Sequence, residues 1–118
     1  VEVGREADAA KVVVRDDGGR VLGLLMFLPR SAVMWEGHIS MLPCGWGRAA
    51  EAAAGGLRWM WSQVPAVCFT AMIPVSNPLA CRVAERAGMA FVGRIPRSFA
   101  RGGRLVDQLF FSISRAIT

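Results

Sequence analysis

Polar side chains occupy alternate positions in one otherwise apolar segment, residues 33–42. Glu36, His38 and Ser40 are separated there by single glycine or apolar residues. Because successive side chains of a β-strand point to opposite faces, a strand would place this polar set on a single face. A carboxylate or an imidazole can take a proton from an amine near neutral pH. The set therefore either faces solvent as structural groups or lines a site in which Glu36, His38 or both serve as the base.

A second informative segment, residues 74–93, has the pattern of a strand end, a capped helix and a new strand. Asn77 or Ser76 can cap the helix, and Pro78 suits its first position. Gly88 can take the left-handed conformation that ends it. We interpret Asn77 as a helix cap that either acts alone or also orients a ligand.

The remaining periodicity predicts a mixed sheet with helices packed on it, in the order β-β-β-α-β-α-β-β, within a single domain over residues 1–118. The elements sit between turn-forming segments rich in glycine, proline and aspartate. The predicted strands are 11–14, 21–28, 33–42, 66–73, 90–99 and 105–114, and the predicted helices are 47–63 and 78–87.

Composition narrows the class of protein. With 118 residues, 53% of them hydrophobic and 19% charged, the chain is expected to be globular. Its apolar runs are too short for a membrane helix and it opens with no signal segment, so we expect a cytoplasmic protein. Three cysteines and one histidine lack metal-ligand spacing, so no metal is expected.

The net charge of +5 rests on thirteen arginines and one lysine. Four of the arginines cluster in a predicted hairpin, either as a solvated basic surface or as phosphate contacts. No helix-turn-helix, zinc finger or aromatic stacking platform accompanies them, so nucleic acid is not an expected partner. The four are Arg94, Arg97, Arg101 and Arg104.

Residues 11–115 resemble the GNAT superfamily of acyl-CoA N-acyltransferases, and especially the short GNAT-like proteins of tailed bacteriophages. The resemblance implies a mixed, mostly antiparallel sheet flanked by helices, lacking most of the family's N-terminal strand and two helices. It also implies virion association as an alternative location. The segments that carry it are Glu36-Gly37-His38, Trp46-Gly47, Trp59-Met60-Trp61 and Pro74-Val75-Ser76-Asn77, with Ala80 three positions later.

The same resemblance implies acetyl-CoA as co-substrate, held where parallel strands 33–42 and 66–73 splay apart. The pantetheine arm would bond to unpaired main-chain groups, and the pyrophosphate would face the next helix N-terminus. Glu36 or His38 would be the catalytic base. The implied cofactor-binding residues are Met41, Leu42, Trp46, Gly47, Arg48, Ala49, Ala50, Asn77 and Ala80.

The sequence departs from the family at the pyrophosphate turn and at the usual acid. The pattern Arg or Gln, two residues, Gly, one residue, Gly or Ala falls on Trp46, Ala49 and Glu51, and Glu51 would put a carboxylate near phosphates. The alternative register, through Gly45 and Gly47, places a proline inside the loop. No tyrosine is present to serve as acid.

Two functions of different class follow. One is an N-acetyltransferase that acts on an amine acceptor, which the sequence does not identify. The other is a catalytically silent protein of the same fold that serves in binding or assembly, such as a bacteriophage structural or morphogenetic component. The short start also predicts a homo-oligomer in which a second subunit completes the acceptor side.

Overall fold

In a computed structural model, which describes residues 9–115, the chain forms one six-stranded sheet in the order β1-β2-β3-β4-β6-β5. All neighbouring strands are antiparallel except β3 and β4, which are parallel. The predicted order of elements is confirmed. The elements are β1 Ala10–Arg15, β2 Val21–Pro29, β3 Met34–Met41, a 3-10 helix Pro43–Arg48, α1 Ala49–Gln63, β4 Cys68–Pro74, α2 Pro78–Arg86, β5 Ala90–Arg101 and β6 Arg104–Ser114.

Both helices pack on the same face of the sheet, which we call the helix face. Leu57 and Met60 of α1 are buried against the sheet, and Met60 is fully inaccessible. Phe69 is the centre of this core, with its ring 4.4 Å from that of Trp61 and 5.5 Å from that of Phe27. Burying each such side chain contributes roughly 2 kcal/mol, so the core fixes α1 on the sheet.

The second helix closes a smaller cluster beside the first. Ala84 of α2 is buried against Ile73 of β4 and Phe111 of β6. Gly88 follows the helix with φ +100°, the left-handed end that the sequence predicts. Strands β4 and β6 therefore anchor α2 next to α1.

The opposite face, which we call the open face, carries the polar set of β3. Trp35 is buried in the core beneath α1, so Glu36, His38 and Ser40 project the other way. Within residues 9–115 both helices lie on the other side, so this face is covered only by its own side chains. Neither of these helices has the length and apolar character that crossing a lipid bilayer requires.

Two elements start two residues later than predicted. The first helix starts at Ala49 rather than at residue 47, because a 3-10 helix occupies Pro43–Arg48. This turn is tight because a Cβ on Gly45 would lie 2.8 Å from the Leu22 carbonyl oxygen. Strand β4 begins at Cys68 rather than at residue 66, since Ala66 is buried in the core and lies outside the ladder.

The basic hairpin of β5 and β6 is organised around Asp107. Its carboxylate accepts the Arg97 N–H at 2.8 Å and Arg94 Nε at 2.5 Å. The Arg97 N–H first, and then Arg94, hold the pKa of Asp107 below its usual value. They stabilise a bulge in which Arg97 has φ 52°. Asp107 therefore pairs with an arginine of its own hairpin.

Adjacent glycines of α1 give a test of the packing. A Cβ on Gly55 would lie 3.7 Å from Arg58 Nη2, an ordinary contact, whereas a Cβ on Gly56 would overlap the buried Leu25 side chain. We expect Gly55→Ala to raise the free energy of unfolding by about 0.5–1 kcal/mol. Gly56→Ala should lower it by about 1–3 kcal/mol through overpacking. Urea unfolding measures both, and equal effects would contradict the close approach of α1 to the sheet.

Candidate active site

The two parallel strands at the centre of the sheet separate part of the way along. Strands β3 and β4 are paired from Met34–Cys68 to Glu36–Thr70, where the ladder ends. Beyond that point β3 stays paired with β2 as far as Met41, and β4 stays paired with β6 as far as Pro74. The facing main-chain groups of residues 37–41 and 71–74 therefore lack a strand partner. The predicted splay is confirmed.

A cleft of about 200 Å³ occupies this gap. Its walls include Leu57 and Ala84 from the helix face and His38 and Met72 from the open face. Residues of both helices and of both parallel strands therefore line the cleft. Ala80 and Ala84 of α2, and Ala87 directly after the helix, are small residues in its wall.

Both parallel strands lead at their carboxyl ends into helical segments. The Asn77 side chain caps α2 by accepting the Ala80 N–H at 3.2 Å, and Asn77 and Ala80 both line the cleft. The predicted cap is therefore confirmed. Helix α1 begins after Arg48 without a side-chain cap. Helix N-termini carry partial positive charge, so this edge of the sheet favours an anionic group.

The predicted pyrophosphate turn lies at the carboxyl end of β3 and outside the cleft walls. Part of its main chain is already bonded within the protein. The Leu42 N–H donates to the Leu22 oxygen and the Gly45 N–H to the Leu42 oxygen, each at 2.8 Å. The Ala49 N–H donates to the Trp46 oxygen. These three donors are therefore not available to a ligand.

Side chains in this turn serve mostly to shape it. Met41 packs against Gly45, and the Trp46 indole N–H donates to the Met41 oxygen at 3.0 Å while its ring stays 64% exposed. Space around Gly47 is open. The exposed Leu42 precedes the turn, and Ala50, partly buried, belongs to the first turn of α1.

Charge at the start of α1 is balanced by an ion pair. Arg48 Nη2 donates to Glu51 Oε1 at 2.7 Å. This hydrogen bond, and then the charges, lower the pKa of Glu51 and raise the pKa of Arg48. The charges of Arg48 and Glu51 therefore cancel, and the pair adds no net positive charge to the turn.

Three side chains form a hydrogen-bonded group on the open face beside the cleft. Glu36 Oε2 lies 2.6 Å from His38 Nε2. The Arg30 guanidinium donates two hydrogen bonds to the same carboxylate, from Nη2 to Oε2 at 3.1 Å and from Nε to Oε1 at 3.3 Å. Forked contacts of this kind fix the orientation of a carboxylate.

The surroundings of Glu36 decide what it can do. Partial burial, the largest single influence, acts to raise its pKa, but hydrogen bonds from Arg30 and His38 together with their charges bring the pKa below 4.5. Both carboxylate oxygens are engaged, and the side chain is only 17% exposed. Glu36 is therefore an ionised group whose carboxylate holds the imidazole of His38 through Nε2. His38 is one of the residues that line the cleft.

The role of Arg30 as the partner of Glu36 was not predicted from the sequence. Arg30 lies in the turn between β2 and β3, where its N–H donates to the Met34 oxygen at 2.9 Å and the Ser31 hydroxyl accepts the Met34 N–H at 3.0 Å. The register pairs Leu28 with Glu36, so Arg30 follows on the same face. Pairing the predicted strands as a hairpin would have placed Arg30 beside Glu36.

Solved structures give the fold a family context. No protein-family model and no curated protein matches the sequence. A spermidine N-acetyltransferase from Vibrio cholerae, in complex with CoA and spermine, superposes with a TM-score of 0.81 at 22% identity over 90% of this chain and 65% of that chain. The F149A mutant of that enzyme gives 0.83 at 19% identity over 92% of this chain and 67% of that chain. The chain has the GNAT acetyltransferase fold.

A GNAT-family acetyltransferase from Bacillus anthracis has the same architecture, with a TM-score of 0.79 at 20% identity over 88% of this chain and 65% of that chain. The chain spans about two thirds of the length of these GNAT structures. Val83 of α2 is also among the residues that line the cleft. The described residues hold no group of side chains fit to bind a metal ion.

The ion pair between Arg30 and Glu36 should make the free energy of unfolding depend on pH. Folding lowers the pKa of Glu36, so the ionised carboxylate stabilises the folded protein fully above about pH 4.5. This stabilisation is lost as the pH falls through the pKa of Glu36 in the folded protein. Arg30→Gln should therefore cost about 0.5–1 kcal/mol of unfolding free energy at pH 7. The difference from wild type should shrink toward about pH 3.

The measurement is urea unfolding between these pH values, with Arg58→Gln, an exposed arginine of α1, as the control. A loss for Arg30→Gln that is the same at both pH values would contradict the assigned role of the Glu36 charge.

Proposed function

We propose that the protein is an acyl-CoA-dependent N-acetyltransferase that moves the acetyl group of acetyl-CoA to an amine. The observation that carries the proposal is the cleft at the gap between β3 and β4, whose lining includes His38 with its imidazole held by Glu36. In this proposal the thioester lies on the helix-face side of the gap, and the amine approaches from the open face, toward which His38 projects.

The cofactor would enter from the helix face. Its pantetheine amides can bond the main-chain groups of residues 37–41 and 71–74 that lack strand partners. Ala80 and Ala84 leave room for the arm, and the N-terminus of α2 at Asn77 gives the pyrophosphate a favourable field. One solved GNAT neighbour is a complex with CoA, which supports this assignment.

The chemistry then follows from His38. Its Nδ1 takes a proton from the acceptor as the amine nitrogen attacks the thioester carbonyl, while Glu36 holds the ring and stabilises the imidazolium that forms. The new C–N bond forms, and the C–S bond breaks to release the CoA thiolate. Because the chain contains no tyrosine, the thiolate recovers that proton from the imidazolium, and the atoms balance.

A non-catalytic role in binding or assembly, such as that of a bacteriophage component, is the competing proposal. The turn after β3 favours it, because the N–H groups of Leu42, Gly45 and Ala49 donate to main-chain oxygens of the protein. In the same turn, Glu51 forms an ion pair with Arg48 that cancels its positive charge. Such a turn offers a pyrophosphate fewer donors than an open loop. The two proposals differ in whether the cleft takes the cofactor.

Calorimetric titration with acetyl-CoA distinguishes them. We expect saturable binding by wild type and its loss in Ala80→Trp, which fills the cleft. Leu79→Trp is the matched control, because residue 79 is 63% exposed on the same helix and is not part of the cleft wall. Absence of heat at high micromolar cofactor would remove the enzyme proposal.

Measurements of turnover test the roles proposed for His38 and Glu36. His38→Ala should lower kcat by about 10²–10⁴-fold, the usual contribution of a general base, with acetyl-CoA affinity unchanged. Glu36→Gln should lower kcat less, since it removes the orienting group and leaves the imidazole. Ser40→Ala, on the same face two positions away, is the control. Unchanged turnover in His38→Ala would eliminate it as the base.

A further inference from the structure

The side chains around His38 on the open face are mostly apolar. Met26 is its cross-strand partner on β2, with Leu24 and Leu28 on either side. Across the cleft stands Met72, which pairs with Phe110 of β6. All five are partly exposed. An amine that reaches His38 from this face must therefore lie against hydrocarbon and thioether groups.

Negative charge is scarce on the same surface. Of the carboxylates within residues 9–115, Glu36 is on this face, and its oxygens are taken by Arg30 and His38. The others lie elsewhere: Asp16 and Asp17 in the β1–β2 turn, Glu51 and Glu85 on the helices, and Asp107 in its arginine-bound bulge. Lys11, opposite Met26 on the outer strand, adds a positive charge.

A polyamine fits such a surface poorly. It carries several ammonium groups, and after one nitrogen is placed at His38 the remaining charges would rest on Met26 or Leu24 without a counter-charge. Removing a charge from water without a partner is strongly unfavourable. A single amine on an apolar body has no second charge to desolvate and gains from burying its hydrocarbon.

We infer that the acceptor is a primary monoamine with an apolar substituent, and that polyamines are poor acceptors. This inference rests on the acetyl transfer proposed above. It separates the chain from its Vibrio cholerae neighbour, a spermidine N-acetyltransferase whose complex contains spermine.

The first test is a panel of acceptors at saturating acetyl-CoA, with CoA release as the readout. Hexylamine should exceed spermidine in kcat/KM by tenfold or more. In the series from propylamine to hexylamine, kcat/KM should rise about threefold to fourfold for each methylene that the face buries. This series needs no variant, so it does not depend on any substitution folding correctly.

The second test changes the charge of the face. Met26→Glu should lower kcat/KM for hexylamine and raise it for spermidine, moving their ratio by tenfold or more toward the polyamine. Val13→Glu is the matched control: residue 13 is 50% exposed on β1, pairs with Leu24 and is one strand farther from His38, so the ratio should stay the same.

Each outcome bears on a different statement. A spermidine preference in wild type, or a flat response to chain length, would overturn the acceptor class and leave acetyl transfer intact. Acetyl-CoA binding without turnover of any amine in the panel would also overturn it. Absence of acetyl-CoA binding by calorimetry would instead overturn the proposed function, and the acceptor class with it.

Discussion

The separation of two strands beyond the Glu36–Thr70 pair is the constraint on which the rest of the structure depends. At its base, Trp35 and Phe69 are buried in the same core and hold the strands together. Above it, each strand stays paired with its outer neighbour, so neither can swing back without losing a ladder. Main-chain groups are left without strand partners inside the sheet, which is costly unless water or a ligand satisfies them. The gap is held open by the pairing on both sides.

Electrostatic surroundings distinguish Glu36 from His38 on β3. A carboxylate that already accepts from Arg30 and His38 is a weak proton acceptor, because protonation would break favourable contacts. The same contacts make it a good support for an imidazole. Placement adds to this, since His38 lines the cleft and is more exposed than Glu36. Burial and pairing therefore place two residues that are equally plausible bases in the sequence in different environments, which is the basis of the roles proposed for them.

Much of the fold could be predicted because it depends on local patterns. Alternation in β3, the Asn77 cap and the Gly88 stop are properties of short segments, and the structure contains all three. The 3-10 helix escaped prediction because it depends on Gly45 contacting Leu22, more than twenty residues away. Arg30 escaped because its role requires the register of a hairpin.

The site was predictable only in part, for the same reason. Glu36, His38, Asn77 and Ala80 lie at the gap, because strand period and helix start fix where they point. The cofactor residues expected on 41–50 follow a linear motif, whereas the shape of that turn depends on packing between β2 and β3.

A gap between two strands with helices on one side and the His38 side chain on the other also governs the order of events in the proposed reaction. Under the proposed reaction, the thioester arrives from the side of the helices and the amine from the opposite side, so neither obstructs the path of the other. Such an arrangement suits a ternary complex with direct transfer, in which acetylated product and spent coenzyme depart independently. A tunnel with a single mouth would instead impose strict first-in, last-out kinetics.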